Sequence, residues 1–88
     1  MTGNINAVYT QNGATATTSD ISPPISVNAS GVTHFELSID GVNWVGPYQV
    51  SSSGTIALNK GVNTVRVRAY HEDLPNVYVY SQKTLFRL

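Results

Sequence analysis

The chain reads as an all-β, Greek-key sandwich of about seven short strands, and three observations carry that reading. Turn residues break the sequence about every 8–12 positions. Between the turns, apolar and polar residues alternate with a period of two. The polar positions are mainly Ser, Thr and Asn among β-branched neighbours, a composition that favours strands and turns over helix.

Each predicted element follows from local pattern. Ile5-Asn6-Ala7-Val8-Tyr9 alternates as a first strand. Gln11 to Asp20 is small and polar with no bulky apolar anchor, which predicts a loop or tether, so residues 1–20 read as an N-terminal strand and flexible tether ahead of a sandwich over 21–88. Pro23-Pro24 blocks ladder hydrogen bonds and marks the entrance to a strand carrying Ile25, Val27 and Ala29. Phe35, Leu37 and Ile39 then alternate with His34, Glu36, Ser38 and Asp40, and Asp40-Gly41 closes the run in a tight turn. A short return strand through Trp44, Val45, Tyr48 and Val50 is interrupted at Gly46-Pro47. Ser51 to Gly54 reads as a turn, Ile56 and Leu58 as the inward residues of a strand, and Asn59-Lys60-Gly61 as another turn. Asn63 to Tyr70 places Val65, Val67 and Ala69 on one face and Thr64, Arg66, Arg68 and Tyr70 on the other. After a turn at Leu74-Pro75-Asn76, Val77 to Leu88 forms the last strand. Val77 and Val79 suggest one phase and Phe86 and Leu88 the other, which predicts a bulge near Ser81-Gln82. The expected core is Phe35, Leu37, Ile39, Ile56, Leu58, Val65 and Val67.

Composition narrows the function. The chain has 88 residues, enough for one domain. Charged residues make up 11%, and five Lys+Arg balance five Asp+Glu, which leaves no electrostatic footprint for nucleic acid or anionic lipid. There is no cysteine, hence no disulfide framework, zinc ribbon or thiol nucleophile. No apolar run is long enough to span a membrane, and residues 1–20 lack the basic and apolar regions of a secretion signal. With Met1 at its start, the chain reads as a complete product made and kept in the cytoplasm.

The segment Phe35-Glu36-Leu37-Ser38-Ile39-Asp40-Gly41-Val42-Asn43-Trp44 resembles the "aromatic-x-Leu-Ser-x-Asp-Gly-x-x-Trp" hairpin of bacterial and phage immunoglobulin-like domains. Leu58 to Tyr70 is similar to their "Leu-x-x-Gly-x-Asn-x-Val-x-Val-Arg-Ala" corner, although no Tyr stands at that corner, where Val62 and Thr64 sit instead. The resemblance spans residues 25–70 and implies an immunoglobulin-like sandwich. Because such domains travel in secreted proteins or on phage particles, a chain without a signal resembles a small phage capsid decoration or cement protein. The implied function is that of a non-enzymatic virion structural protein on the capsid surface or tail. It would be assembled in the host cytoplasm and contact the major capsid protein or another virion protein, with self-association as a further contact. The alternative is a small glycan-binding or adhesion module using exposed aromatics.

Candidate chemistry is sparse. His34 falls on an outward face and His71-Glu72-Asp73 in a turn. A calcium site on Glu72 and Asp73 lacks the six to eight oxygens that calcium takes, so neither metal nor cofactor is expected. No catalytic residues are assigned. The partner-binding candidates are His34, Glu36, Arg66, Arg68, Tyr70, Tyr78 and Tyr80, since Arg and Tyr join a large apolar body to directional donors. Ordinary cross-strand pairing of Glu36 with Arg66 or Arg68 is the competing explanation for the charged members. Trp44 and Tyr48, with Tyr78 and Tyr80, are the candidates for stacking a sugar ring, and packing of Trp44 on the core edge is its alternative. Ile5 and Tyr9 are candidates for pairing with a neighbouring chain's sheet edge, against the alternative that residues 5–10 join their own sandwich.

Overall fold

A computed structural model describes residues 6–9 and 17–88; Ile5 and the greater part of the expected tether lie outside the described residues. The described chain is all-β, without helix, and forms two sheets. Its strands are β1 (Asn6–Tyr9), β2 (Thr17–Thr18), β3 (Ile25–Asn28), β4 (His34–Ser38), β5 (Val45–Gln49), β6 (Ser53–Gly54), β7 (Gly61–Tyr70) and β8 (Val79–Arg87). One sheet has the order β1-β3-β6, the other β2-β8-β7-β4-β5. All pairings are antiparallel except β2 with β8, where Thr17 lies opposite Phe86. β1 runs along β3 of its own molecule, with Ala7 opposite Val27 and Tyr9 opposite Ile25.

The two sheets share one core. Ile25 and Val27 come from the smaller sheet, Phe35, Leu37, Val65, Val67, Ala69 and Leu85 from the larger, and Ile56 and Leu58 from the segment between β6 and β7. Phe35, Leu37, Val67 and Ala69 have no accessible surface. Burying a side chain the size of Leu37 contributes about 1.5–3 kcal/mol, and such residues supply the main drive for closing the sheets together. Of the seven expected core residues only Ile39 is incompletely buried, because β4 has ended at Ser38 and the chain is turning.

Turn chemistry accounts for the connections. Gly41 has φ 76°, a value that L side chains rarely adopt, and it allows the Asp40-Gly41 turn. Gly54 is needed for a different reason: a Cβ there would run into the ring of Tyr48, which lies across it and donates its hydroxyl to the carbonyl of Thr55 at 2.8 Å. At the start of β7, Asn63 closes the 59–61 turn through its side chain. Its Nδ2 donates to the carbonyls of Asn59 (2.9 Å), Gly61 (3.0 Å) and Leu85 (3.4 Å), and its Oδ1 accepts the Asn59 N–H at 2.9 Å.

Three expectations are corrected. The β7–β8 register is unbroken from Gly61 opposite Arg87 to Ala69 opposite Val79, so there is no bulge at Ser81-Gln82. Val79 and Leu85 share the inward face, whereas Phe86 and Leu88 point away from it, 43% and 64% exposed; the terminal apolar pair is simply not a core signal. Ile56 and Leu58 are buried but lie in no strand: the Leu58 N–H donates to the carbonyl of Ile21 at 2.7 Å instead of joining a ladder. Ser53-Gly54 is strand rather than turn. The turn closes one step earlier, with Ser52 N–H donating to Gln49 C=O, and leaves these two residues to pair with Ile25 and Ser26.

Candidate functional site

The outer face of β4, β7 and β8 gathers the polar and aromatic residues that the alternation turns away from the core. Register fixes the rows. His34 lies opposite Tyr70; Glu36 opposite Arg68, which lies opposite Tyr80; Ser38 opposite Arg66, which lies opposite Gln82. Tyr78, just before β8, stands beside Tyr70 with ring centroids 5.8 Å apart.

Arg68 is the centre of this face. Its Nε donates to Glu36 Oε1 at 2.7 Å, and its Cζ lies 4.4 Å from the Trp44 ring centroid and 4.6 Å from that of Tyr78. Each such cation–π contact contributes about 0.5–2 kcal/mol, and the planar guanidinium suits the space between two rings better than an ammonium would. Desolvation among the rings works against the Arg68 charge, but the Glu36 hydrogen bond and charge outweigh it and the pKa ends above its ordinary value. Burial, followed by the Glu36 charge, raises the Tyr70 phenol pKa.

Around this centre the rings form a continuous chain. His34 stacks on Tyr70 (5.5 Å between centroids, 13° between planes), Tyr70 meets Tyr78 edge-on, Tyr78 lies 6.0 Å from Tyr80, and Tyr80 lies 6.4 Å from Trp44 at 65°. Trp44 reaches the face from the β4–β5 turn. Asp40 accepts the N–H groups of Val42 and Asn43, each at 2.8 Å, together with the Ser38 hydroxyl, and this closes the turn that carries Trp44 back over the sheet. Those bonds, the one from the Asn43 backbone foremost, hold the Asp40 carboxyl well below the usual carboxylate range.

The structure thus brings His34, Glu36, Arg66, Arg68, Tyr70, Tyr78 and Tyr80 onto one surface and adds Trp44 to them. It separates Tyr48 from Trp44: Tyr48 lies opposite Phe35 on the inward side, its ring 5.5 Å from that of Phe35, so the two do not form one sugar platform. Tyr9 belongs to the other sheet. Ser38, expected outward, is fully buried, with its Oγ accepting the Gly41 N–H at 2.8 Å. Sequence reasoning missed how Trp44 covers Arg68. The signal was the Asp-Gly-x-x-Trp spacing, since a turn closed on Asp40 returns the fourth following residue to the sheet it has just left.

Thr33 Oγ1 lies 2.8 Å from His34 Nδ1 and accepts the Glu72 N–H at 2.9 Å, and His71 Nδ1 accepts the Asp73 N–H at 3.1 Å. Among the described residues no three His, Asp or Glu side chains are grouped to hold a metal. Compared with protein-family models, curated proteins and solved structures, the chain matches none.

Proposed function

We propose that the chain is a non-enzymatic binding module of immunoglobulin-like Greek-key type, carried as a structural protein of a phage virion, and that it docks on the capsid protein or another virion protein through the outer face of β4, β7 and β8. The observation that carries the docking reading is Arg68, ion-paired to Glu36 and held between Trp44 and Tyr78 within a chain of surface rings. Trp, Tyr and Arg dominate the energetics of protein interfaces, and rings already fixed by one another lose little further freedom on binding. The virion context is drawn from the hairpin and corner resemblance over residues 25–70.

Glycan binding is the second reading. It is weakened by the 65° angle between the Trp44 and Tyr80 planes, because a sugar platform needs rings that share an open plane. The test is mass spectrometry of purified particles from the source, followed by decoration of particles lacking the protein. A fixed ratio of this chain to the major capsid protein is expected, with Trp44→Ala plus Tyr80→Ala reducing occupancy at least tenfold while the melting temperature holds. Absence from particles refutes the virion assignment, and undiminished occupancy of the double variant refutes the face. Saturable glycan binding lost with Trp44→Ala would favour the second reading.

A further inference from the structure

Beside the Arg68 cluster, the same face carries a depression of about 410 Å³ lined by Gly41, Trp44, Arg66, Tyr80, Ser81 and Gln82. Arg66 lies across Gly41, where a Cβ would be in ordinary van der Waals contact with the arginine Cδ and Nε at 3.5 Å. One of its nitrogens, Nη1, donates to the carbonyl of Ile39 at 3.3 Å, which tethers the guanidinium without neutralising it. No carboxylate lies within ion-pair distance of Arg66 among the described residues. The two nearest along the hairpin are already engaged, Glu36 by Arg68 and Asp40 by Ser38, Val42 and Asn43. Gln82, the register partner of Arg66, makes no side-chain hydrogen bond among the described residues.

We propose that this depression receives the carboxylate of an Asp or Glu side chain from a protein partner, with Arg66 as its counter-ion, Gln82 as a second donor, and the Trp44 and Tyr80 rings packing the apolar residues beside that carboxylate. The proposal rests on the reading of this face as a protein-docking surface and adds the chemistry of what docks. Charge complementarity selects the occupant. The chain is neutral overall, and of the two arginines on this face only Arg68 is ion-paired, to Glu36, so Arg66 presents an unpaired positive charge to the depression. A single unpaired guanidinium flanked by rings suits one carboxylate next to apolar side chains. The Arg fork matches a carboxylate in two parallel hydrogen bonds, whereas a nucleic acid needs many phosphate contacts that one free guanidinium does not supply.

Trp44 is the sole tryptophan, so its fluorescence reports on this depression directly. The probe is a blocked pentapeptide, Gly-Leu-Asp-Leu-Gly, titrated against the same peptide with Asn in place of Asp. A charge-assisted hydrogen bond is about twice as strong as a neutral one, which predicts a saturable Trp44 response about tenfold tighter for the Asp peptide at low salt, shrinking as salt rises. Arg66→Gln should abolish the preference with an unchanged melting temperature, and Arg66→Lys should retain part of it. Equal responses to the two peptides, no response, or a preference that survives Arg66→Gln overturns the proposal. So does a response to oligogalacturonate without one to the peptide, which would place an acidic sugar there instead. If particle occupancy needs Trp44 and Tyr80 but is indifferent to Arg66→Gln, the docking reading stands and this inference alone fails.

Discussion

Lysine in place of Arg68 would keep the positive charge but lose the planar fork that lies between Trp44 and Tyr78 while donating to Glu36. Arg68→Lys is therefore expected to leave melting within a few degrees of the parent and to weaken partner binding about tenfold, measured as particle occupancy or by surface plasmon resonance on the isolated partner. Asp40 offers a separate residue-scale test. Its carboxyl is held below the ordinary value of 3.8 in the folded chain by hydrogen bonds that the unfolded chain lacks. A group with a depressed folded pKa stabilises the fold fully above its unfolded pKa, and loses that contribution as pH falls below about 4. Asp40→Ala should accordingly melt lower than the parent at about pH 7, and the gap should narrow steadily as pH falls below about 4, closing only once the folded carboxyl itself is protonated. A gap that does not narrow in acid would show that the charge is not what holds the Trp44 turn.

At the scale of the element, β7 combines two kinds of stabilisation. Its inward residues alternate without a break, and its first turn is closed by Asn63, 4% exposed, which joins the 59–61 corner to β8. Asn63→Ala removes the side-chain partner of the buried Leu85 carbonyl and the part-buried bonds to Asn59 and Gly61, and should cost about 1–3 kcal/mol in urea denaturation. Leu37→Ala, one strand away, opens a cavity between the sheets and should cost about 2–5 kcal/mol. A Leu37→Ala variant as stable as the parent would contradict the shared core. β7 was legible in the sequence because its own alternation is regular from Asn63 to Tyr70. β8 was legible in extent but not in phase. Ser81 and Lys83 occupy inward positions, so polarity there conceals the period that Val79 and Leu85 keep.

For the whole molecule, the N-terminal segment contributes a strand to each sheet. β1 is registered against β3 along four residue pairs, and β2 extends the larger sheet beside Phe86 and Arg87. Deleting residues 1–20 removes a strand from each sheet, including the partner of Ile25 and Val27. The truncated chain is expected to lose its cooperative thermal transition or melt far below the parent, as followed by circular dichroism. The alternative in which residues 5–10 pair with a neighbouring chain predicts instead a folded body that loses only its anchor. A truncated chain with parental melting would return β1 to the role of a detachable strand.

The sequence by itself determined the all-β class, most of the core and the composition of the outer face, because these follow from period-two alternation and turn chemistry, both local properties. Phe35, Leu37, Val65 and Val67 had to be buried once alternation placed them together on one side, and Arg66, Arg68 and Tyr70 had to face away. Tertiary structure decided what depends on register between distant segments. It set Glu36 against Arg68 rather than Arg66, folded Trp44 over that pair, sent Tyr48 to the inner side, and left Arg66 without a carboxylate. A strand's faces are fixed by its own residues, but its partner across the ladder is fixed only when the whole sheet closes, and a shift of one residue would exchange every one of those contacts.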